Sequence, residues 1–463
     1  MLKNVKKYAI KTFGCQMNYS DSERVRGVLD QCGFRLAREE EKPDITIINT
    51  CSVRQKSEDK AIGFVAKVKK ENPSGLVIVT GCMVRQTGDR HTSHDALLQL
   101  DTVDLVFRIE DCARLPKMLE KYFPRHDFSE FGKVFGTGTI ENYFHITPRV
   151  QNRRQVFVPI MQGCDKFCTF CIVPYTRGRE ISRPMDEILF ECEQHVKNGA
   201  IEITLLGQNV NSYRDGLGGP KCFSDLLQAV DKLSKKGLSR LRFTSAHPQD
   251  FTDDVIETLA NTKTSCPYIH LPAQHGSNEV LKAMNRNYTV EKYESIIQKI
   301  REKIPETVLA TDIIVGFPGE TEAQFQELCD FGERMRFDFA YTAIYSPRKN
   351  TPASRMKHLF IPLAEKKERF HRFDAVIKKT AWPHRDSFIG QALEILVESS
   401  ETLPNGRYKN MGRSREFFEV VFESHKPLKG QEIMVPIEKR HHYTLLGSPI
   451  GSQKKSLPIC AGD

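Results

Sequence analysis

The sequence predicts an α/β chain in three parts: an N-terminal doubly wound parallel sheet, a longer central run of strand-helix units, and a small C-terminal β-barrel. Three observations carry this. Short β-branched runs alternate with helical stretches over residues 5–124 and again over 150–380, the pattern of parallel sheets with crossover helices. From 383 to 450 the helical periodicity stops and short strands follow one another between turn signals. At 463 residues the chain is also longer than one core can usually organise.

A hydrophobic content of 39% and a charged content of 27% belong to an ordinary globular protein, not a disordered one. Apolar runs such as Val77–Val79 and Ile313–Val315 are far too short to span a bilayer, and MLKNVKKYAI lacks the apolar core of a signal peptide. A cytoplasmic protein without a membrane partner is expected. Thirteen Cys in a reducing compartment point to metal binding or burial rather than disulfides. The net charge of +9 points to a polyanionic partner if the charge is clustered.

Lys7–Phe13 (KYAIKTF) is expected as a strand ending at Gly14-Cys15-Gln16-Met17-Asn18. Asn18, Ser20 and Asp21 then offer caps for a helix reaching Cys32, with Val25, Val28 and Leu29 at helical spacing and Gly33 as its stop. Pro43-Asp44 opens the strand ITIINT, which ends at Cys51, and a helix follows from about Val53 to Glu71. The turn Asn72-Pro73-Ser74-Gly75 leads into LVIVTG, which ends at Cys82. Parallel strands place their carboxyl ends on one edge, where ligands bind, so Cys15, Cys51 and Cys82 are expected to converge. One such Cys would read as a small buried hydrophobe; three in the same topological position read as a metal site. Cys32 and Cys112, on helical stretches, are expected to be structural.

Residues 125–150 are Gly-rich and poorly periodic and are expected to be a connection. The strand VFVPIM then leads into MQGCDKFCTFC, where Cys164, Cys168 and Cys171 lie at i, i+4 and i+7 with no fourth Cys nearby. Thiols at this density call for a soft metal, zinc or an iron-sulfur cluster. Structural zinc wants four closed ligands, whereas three thiolates on a four-iron cluster leave one iron open. Downstream come a helix near Met185–Lys197, the strand IEITLL, a helix after Phe223 and the strand RLRFTS. A helix near Asp253, the strand PYIHLP, helices around Val280 and over Val290–Ile304, TVLATDIIVGF, a helix at Glu322–Met335 and the strand FAYTAIY complete the series. These units are too few for an eightfold barrel.

Between Ser346 and Pro383 ten Lys and Arg face three acidic residues, so most of the excess charge sits there. The barrel that follows, 384–448, carries nine basic and nine acidic residues. Lys366, Lys367, Arg369 and Arg372 of the basic segment are therefore candidate phosphate contacts, joined by Arg407, Lys409, Arg413 and Arg415 beside Tyr408 and Phe417 in the barrel. A solvated helix face is the simpler reading of such a run.

The Cys-x3-Cys-x2-Cys loop, with an aromatic before its last Cys, resembles the radical S-adenosylmethionine (SAM) enzymes. TFGCQMN with SDSER behind it, NTCSVR and TGCM resemble the N-terminal domain of the methylthiotransferases, and the wording at Cys15–Asn18 is closest to the MiaB-type branch acting on tRNA. The likeness covers essentially the whole chain. It implies a partial (β/α)6 radical SAM barrel, a C-terminal RNA-binding TRAM domain, two [4Fe-4S] clusters and SAM as cofactors. Cys15, Cys51 and Cys82 would hold the sulfur-carrying cluster, and Cys164, Cys168 and Cys171 the cluster whose open iron binds SAM. Gln208, Asn209, Ser245, Gln274, Ser277 and Asp312, in loops where barrel active sites form, would hold SAM, although the same residue types also serve turns. His247 and His275 read as structural. Arg177 and Arg179 match the family's pattern and would position anionic groups, helix-start solvation being the alternative. The implied reaction transfers a methylthio group to C2 of N6-isopentenyladenosine beside the anticodon, using two SAM per product. It needs a low-potential electron donor and a sulfur supplier, and a monomer is expected. The rivals are the same chemistry on threonylcarbamoyladenosine tRNA or a ribosomal protein, and a non-catalytic iron-sulfur or zinc RNA-binding protein. The run Met411–Phe417 departs from the family's usual turn in the barrel.

Overall fold

The strands ITIINT (Ile45–Thr50) and LVIVTG (Leu76–Gly81) are buried along their whole length, as strands must be when both sheet faces are covered. In this computed structural model, residues 6–52, 55–128, 139–216 and 219–448 are described. Residue 5, the expected helix start at Val53 and Arg54, residues 129–138 of the expected connection, and 449–450 lie outside them.

The N-terminal sheet runs, by strand, 35–36, 7–13, 45–50, 76–81, 105–107 and 88–89, parallel except for the last pair. Alternate residues feed two cores. Ile45, Ile47 and Ile78 pack with Val25, Val28 and Leu29 of the helix Gln16–Gln31. Ile48, Val77 and Val79 pack with Ala61 and Val65 of the helix Gln55–Glu71. The sheet is doubly wound, as expected. Cys32 and Cys112 are buried in the first core. Part of the expected connection proves otherwise: Ile140–His145 is helical, and Ile140, Tyr143, Phe144 and Ile146 join that core because their apolar faces need cover.

The described chain divides into two compact units, one of Met1–Thr264, Lys282–Asn287 and Ser346–Leu359, the other of Ser265–Leu281, Tyr288–Tyr345 and Phe360–Asp463. The first holds the N-terminal sheet and a parallel three-stranded sheet of Gln155–Pro159, Glu202–Leu206 and Arg240–Phe243, with 202–206 central. The second holds a parallel sheet of Tyr268–His270, Val308–Val315 and Phe339–Ile344, with 308–315 central. Five of the six strands fall within the expected ones; the sixth, expected as VFVPIM, starts one residue earlier at Gln155 and ends at Pro159. The helices Met185–Lys197, Val290–Lys303 and Glu322–Met335 also match, the last residue for residue.

Within the second unit the later part of the basic segment forms the helix Leu363–Asp386, and after it five strands close a barrel (392–402, 408–414, 419–424, 432–441 and 444–447). Alternation puts Leu393, Ile395, Val397, Val420, Phe422, Val435 and Ile437 inside. Among the described residues no helix is long and apolar enough to cross a membrane.

Candidate functional site: two cysteine triads

Phe13, Thr50 and Gly81 lie on one rung of three neighbouring parallel strands. Cys51 and Cys82 each directly follow that rung, and Cys15 comes two residues after it as the cap of the helix Gln16–Gln31. Register alone thus brings three thiols, far apart in sequence, to one sheet edge. Cys51 is in hydrogen-bond contact with both Cys15 and Cys82. The loops there are fixed by amides. Asn18 Nδ2 donates to Asn49 Oδ1 (3.0 Å) and to the Thr50 carbonyl (3.1 Å), while Asn49 Nδ2 donates back to the Asn18 carbonyl (2.8 Å). Gly81 has φ +94°, and a Cβ there would come within 3.0 Å of Thr50 O, Asn49 Oδ1 and Thr50 N, so only glycine lets the strand turn into Cys82.

The thiols share their protons unequally. The hydrogen bond from Cys51 pulls Cys15 down to about 7. The same kind of bond pulls Cys82 down to about 5, with the Arg177 guanidinium adding to the effect. Cys51 is pushed up, because it is the donor to both neighbours and is buried. Arg177 Nε donates to Cys82 Sγ at 3.4 Å, and its other nitrogens fork onto Asp21 (2.6 and 3.3 Å), which is fully buried and also accepts from Tyr143 OH at 2.6 Å.

The second triad lies in the loop after Gln155–Pro159 and Met161–Gln162. A left-handed residue, Phe167 (φ +48°), bends this loop between Cys164 and Cys168. Each sulfur has an N–H partner: the Lys166 backbone for Cys164, the Val173 backbone for Cys171, and Arg286 Nη1 for Cys168 at 3.4 Å. Burial raises Cys164 to about 11 and Cys171 to about 12, so loading a metal must release protons. Residues 283–286 clasp the loop. Thr169 bonds the carbonyls of Met284 (3.0 Å) and Ala283 (3.0 Å), and Asn285, itself left-handed at φ +56°, donates to the carbonyls of Lys166 (3.3 Å) and Phe167 (3.0 Å).

Among the described residues no three His, Cys, Asp or Glu side chains converge at the spacing of a single metal ion. Donor chemistry decides what the triads fit. Both are all-thiol, each has three thiols, and each has N–H donors aimed at sulfur, including a guanidinium; thiolates of an iron-sulfur cluster are stabilised in this way.

The six expected SAM contacts fall three to each unit. Gln208 Oε1 accepts from Gly163 N at 2.6 Å and so braces the cysteine loop. Asn209 donates to Asp250 at 2.8 Å while its Oδ1 is buried without a partner, and Ser245 is half-buried at φ +64°. In the other unit, Gln274 (φ +67°) exchanges backbone bonds with the 308–315 strand, Ser277 Oγ is buried without a partner, and half-buried Asp312 lies 3.3 Å from His270 Nε2. Asn209 Oδ1 in the first unit and Ser277 Oγ in the second are thus each among the buried polar atoms left unsatisfied, a state that calls for explanation. His275 bridges Ser277 N and Glu320, and burial holds His247 down at about 2, where Nδ1 accepts from Gln249 N; each thus bonds the backbone of its own loop.

The candidate RNA contacts divide. Lys367 and Lys409 are exposed. Arg369 corrects the expectation: it is 3% exposed and held by Glu320 and Glu365, so its charge is neutralised inside the fold. Lys366 is half-buried and donates to the Tyr345 carbonyl, and Arg372 pairs with Glu322. Arg407, Arg413 and Arg415 pair with Glu423, Glu398 and Glu394, while Phe417 stacks on Tyr268 at 4.4 Å. Of the two arginines flagged beside the cysteine loop, Arg177 is buried against Cys82, whereas Arg179 lies exposed over Phe167 and pairs with Asp165. Sequence reading missed Asp21 as a partner, although it stands inside SDSER. It also missed Arg286, which had no local signal.

A parallel α/β scaffold with a three-cysteine loop after its first central strand defines a protein of the radical SAM class, and residues 158–332 match the Radical SAM superfamily. Residues 7–107 match the Uncharacterized protein family UPF0004. Two solved structures share the fold: the radical SAM methyltransferase TsrM of Kitasatospora setae (TM-score 0.50, 14% identity, 75% of each chain) and the cobalamin-dependent radical SAM enzyme OxsB (TM-score 0.51, 13% identity, 80% of this chain and 56% of that one). Much nearer are proteins named tRNA-2-methylthio-N(6)-dimethylallyladenosine synthase. That of Carboxydothermus hydrogenoformans is 40% identical over 96% of this chain and 99% of its own. Those of Alkaliphilus oremlandii (40%; 96% and 93%) and Clostridium botulinum (39%; 97% and 98%) are similar. The chain belongs to the family of tRNA-2-methylthio-N(6)-dimethylallyladenosine synthases.

Proposed function

We propose that this enzyme transfers a methylthio group to C2 of N6-isopentenyladenosine next to the anticodon of tRNA, with two [4Fe-4S] clusters and two SAM per product. The observation that carries the two-cluster reading is the pair of all-thiol triads, each with three thiols and N–H donors to sulfur. When bound, the SAM-coupled cluster supplies the electron for radical activation of an aromatic C–H too strong for acid-base chemistry, and the other carries the sulfur to be inserted.

The chain's own residues do the rest. Cys164, Cys168 and Cys171 hold the SAM-coupled cluster; residues 283–286 and Gln208 keep their loop in place. Lys166 spans Gln249 (3.1 Å) and Asp250 (2.8 Å), and Asp250 also takes Asn209, so the strand-end loops are tied to the cysteine loop. Gln208, Asn209, Ser245, Gln274, Ser277 and Asp312 contribute to SAM binding, with Asn209 Oδ1 and Ser277 Oγ supported most directly. Cys15, Cys51 and Cys82 hold the sulfur-donating cluster. The target base must leave the anticodon-loop stack to be reached. Lys367 and Lys409 attract tRNA phosphates, and the barrel acts as a TRAM-like RNA-binding domain. The enzyme works as a cytoplasmic monomer with a low-potential electron donor and a sulfur supplier.

The test is one anaerobic assay with SAM, reductant and isopentenylated tRNA. Cys164→Ala should abolish reductive SAM cleavage, whereas Cys15→Ala should keep cleavage but stop sulfur insertion. Thiomethylated tRNA from the Cys15→Ala protein would sink the second-cluster assignment.

A further inference from the structure

Arg177 belongs to neither cysteine triad, yet it joins them. It lies one residue beyond the helical turn Val173–Thr176, which itself starts two residues after Cys171. Six residue steps, four of them helical, span roughly 15 Å or less. At the far end of that short path its Nε–H donates to Cys82 Sγ at 3.4 Å. The guanidinium cannot rotate freely, because Nη1 and Nη2 are forked onto Asp21, which Tyr143 OH braces from the other side. Arg177 is 5% exposed and Asp21 0%.

We propose that Arg177 is a positioning residue for the Cys15, Cys51, Cys82 site: it fixes that site beside the Cys164–Cys171 loop and favours its reduced, more negative state. The proposal rests on the reading of this triad as a cluster site. A buried ion pair alone would be a poor stabiliser, since desolvation cancels most of its attraction. Here the fork on Asp21 leaves the Nε–H aimed at sulfur, and a fixed donor on a cluster thiolate stabilises added negative charge. Lysine cannot replace it, because it has no fork with which to hold Asp21 and the sulfur together.

The experiment uses the full chain carrying Cys164→Ala, Cys168→Ala and Cys171→Ala, so that only the N-terminal triad can load. After anaerobic reconstitution, iron per chain, the EPR spectrum of the reduced state and the midpoint potential are measured for this parent. The same is done with Arg177→Lys added, and with Arg177→Gln plus Asp21→Asn, which leaves no charge unpaired. The expected result is a lower midpoint and an altered spectrum in both variants at the parent's iron content, larger in the glutamine variant. Loss of iron with an unchanged thermal melt also supports the assignment, because the ligands are then present but misplaced. An unshifted potential and spectrum at equal iron overturn it. So does loss of iron together with loss of a cooperative melt, since Arg177 would then only hold the fold. A parent that binds no iron instead overturns the two-cluster reading, and this proposal with it.

Discussion

Replacing Gly81 with alanine isolates what the sheet edge demands of one backbone position. Gly81 ends the strand Leu76–Gly81 at φ +94°, and its Cβ would meet Thr50 O, Asn49 Oδ1 and Thr50 N, all closer than 3.0 Å. Two costs follow. The left-handed backbone costs an L-residue about 1–2 kcal/mol. Forcing a methyl group against the neighbouring strand costs about 1–3 kcal/mol more, because two of the three contacts are main-chain atoms that cannot swing away. The total is about 2–5 kcal/mol, and relaxation moves Gly81 off the rung it shares with Thr50 and carries the adjoining Cys82 with it. Gly63 is the control: it lies within the helix Gln55–Glu71, and nothing stands within 4 Å of its Cβ position. Gly63→Ala should leave stability unchanged or raise it by about 0.5–1 kcal/mol. Anaerobic urea unfolding gives the stabilities, and iron content after reconstitution of a chain lacking the Cys164, Cys168 and Cys171 thiols reports on the site. A Gly81→Ala protein within 1 kcal/mol of its parent, estimated by the same treatment, and fully loaded with iron would refute the reasoning.

Asp21→Asn leaves the buried Arg177 guanidinium without its carboxylate, so unfolding free energy should fall by about 3–5 kcal/mol in urea titrations. His384, raised by its hydrogen bond to Asp338, is charged more readily when folded than when unfolded. Its stabilisation is therefore full below the ordinary value of 6.5 and lost as pH rises through the raised one; thermal melts of His384→Gln should lie below those of the parent at the acid end and converge with them at the alkaline end. Lys367→Ala should weaken tRNA binding and lower the salt slope of log K by about one unit, whereas Arg369→Ala, cutting a buried pair with Glu320, should lower the melting temperature and leave the slope unchanged.

Most elements were legible because local rules and tertiary packing agree in this chain. Lys7–Phe13, Ile45–Thr50, Leu76–Gly81 and Glu322–Met335 appear with the expected bounds: the strands Ile45–Thr50 and Leu76–Gly81 are short β-branched runs buried throughout, and the helix buries its periodic apolar positions Phe325, Leu328, Phe331 and Met335. The helix Ile140–His145 was hidden, because a single short turn has too few residues to display a period. The basic segment was legible as charge but not as contacts: a guanidinium in solvent and one caged by Glu320 look alike in sequence, as Arg369 demonstrates.

By itself the sequence determined the chemistry: three thiols at i, i+4 and i+7, a second three at the ends of strands, and the alternation that makes those strands parallel. Spacing and strand order are properties of the chain, so they can be read along it. Only the tertiary structure decided what surrounds the sulfurs. The shared rung of Phe13, Thr50 and Gly81 placed Cys15, Cys51 and Cys82 together, and packing placed Arg177 on Cys82 and Arg286 on Cys168. Such partners come from residues 95 and 118 positions away. Hydrogen bonds and charge act through space, and no local pattern encodes who the neighbour across that space will be.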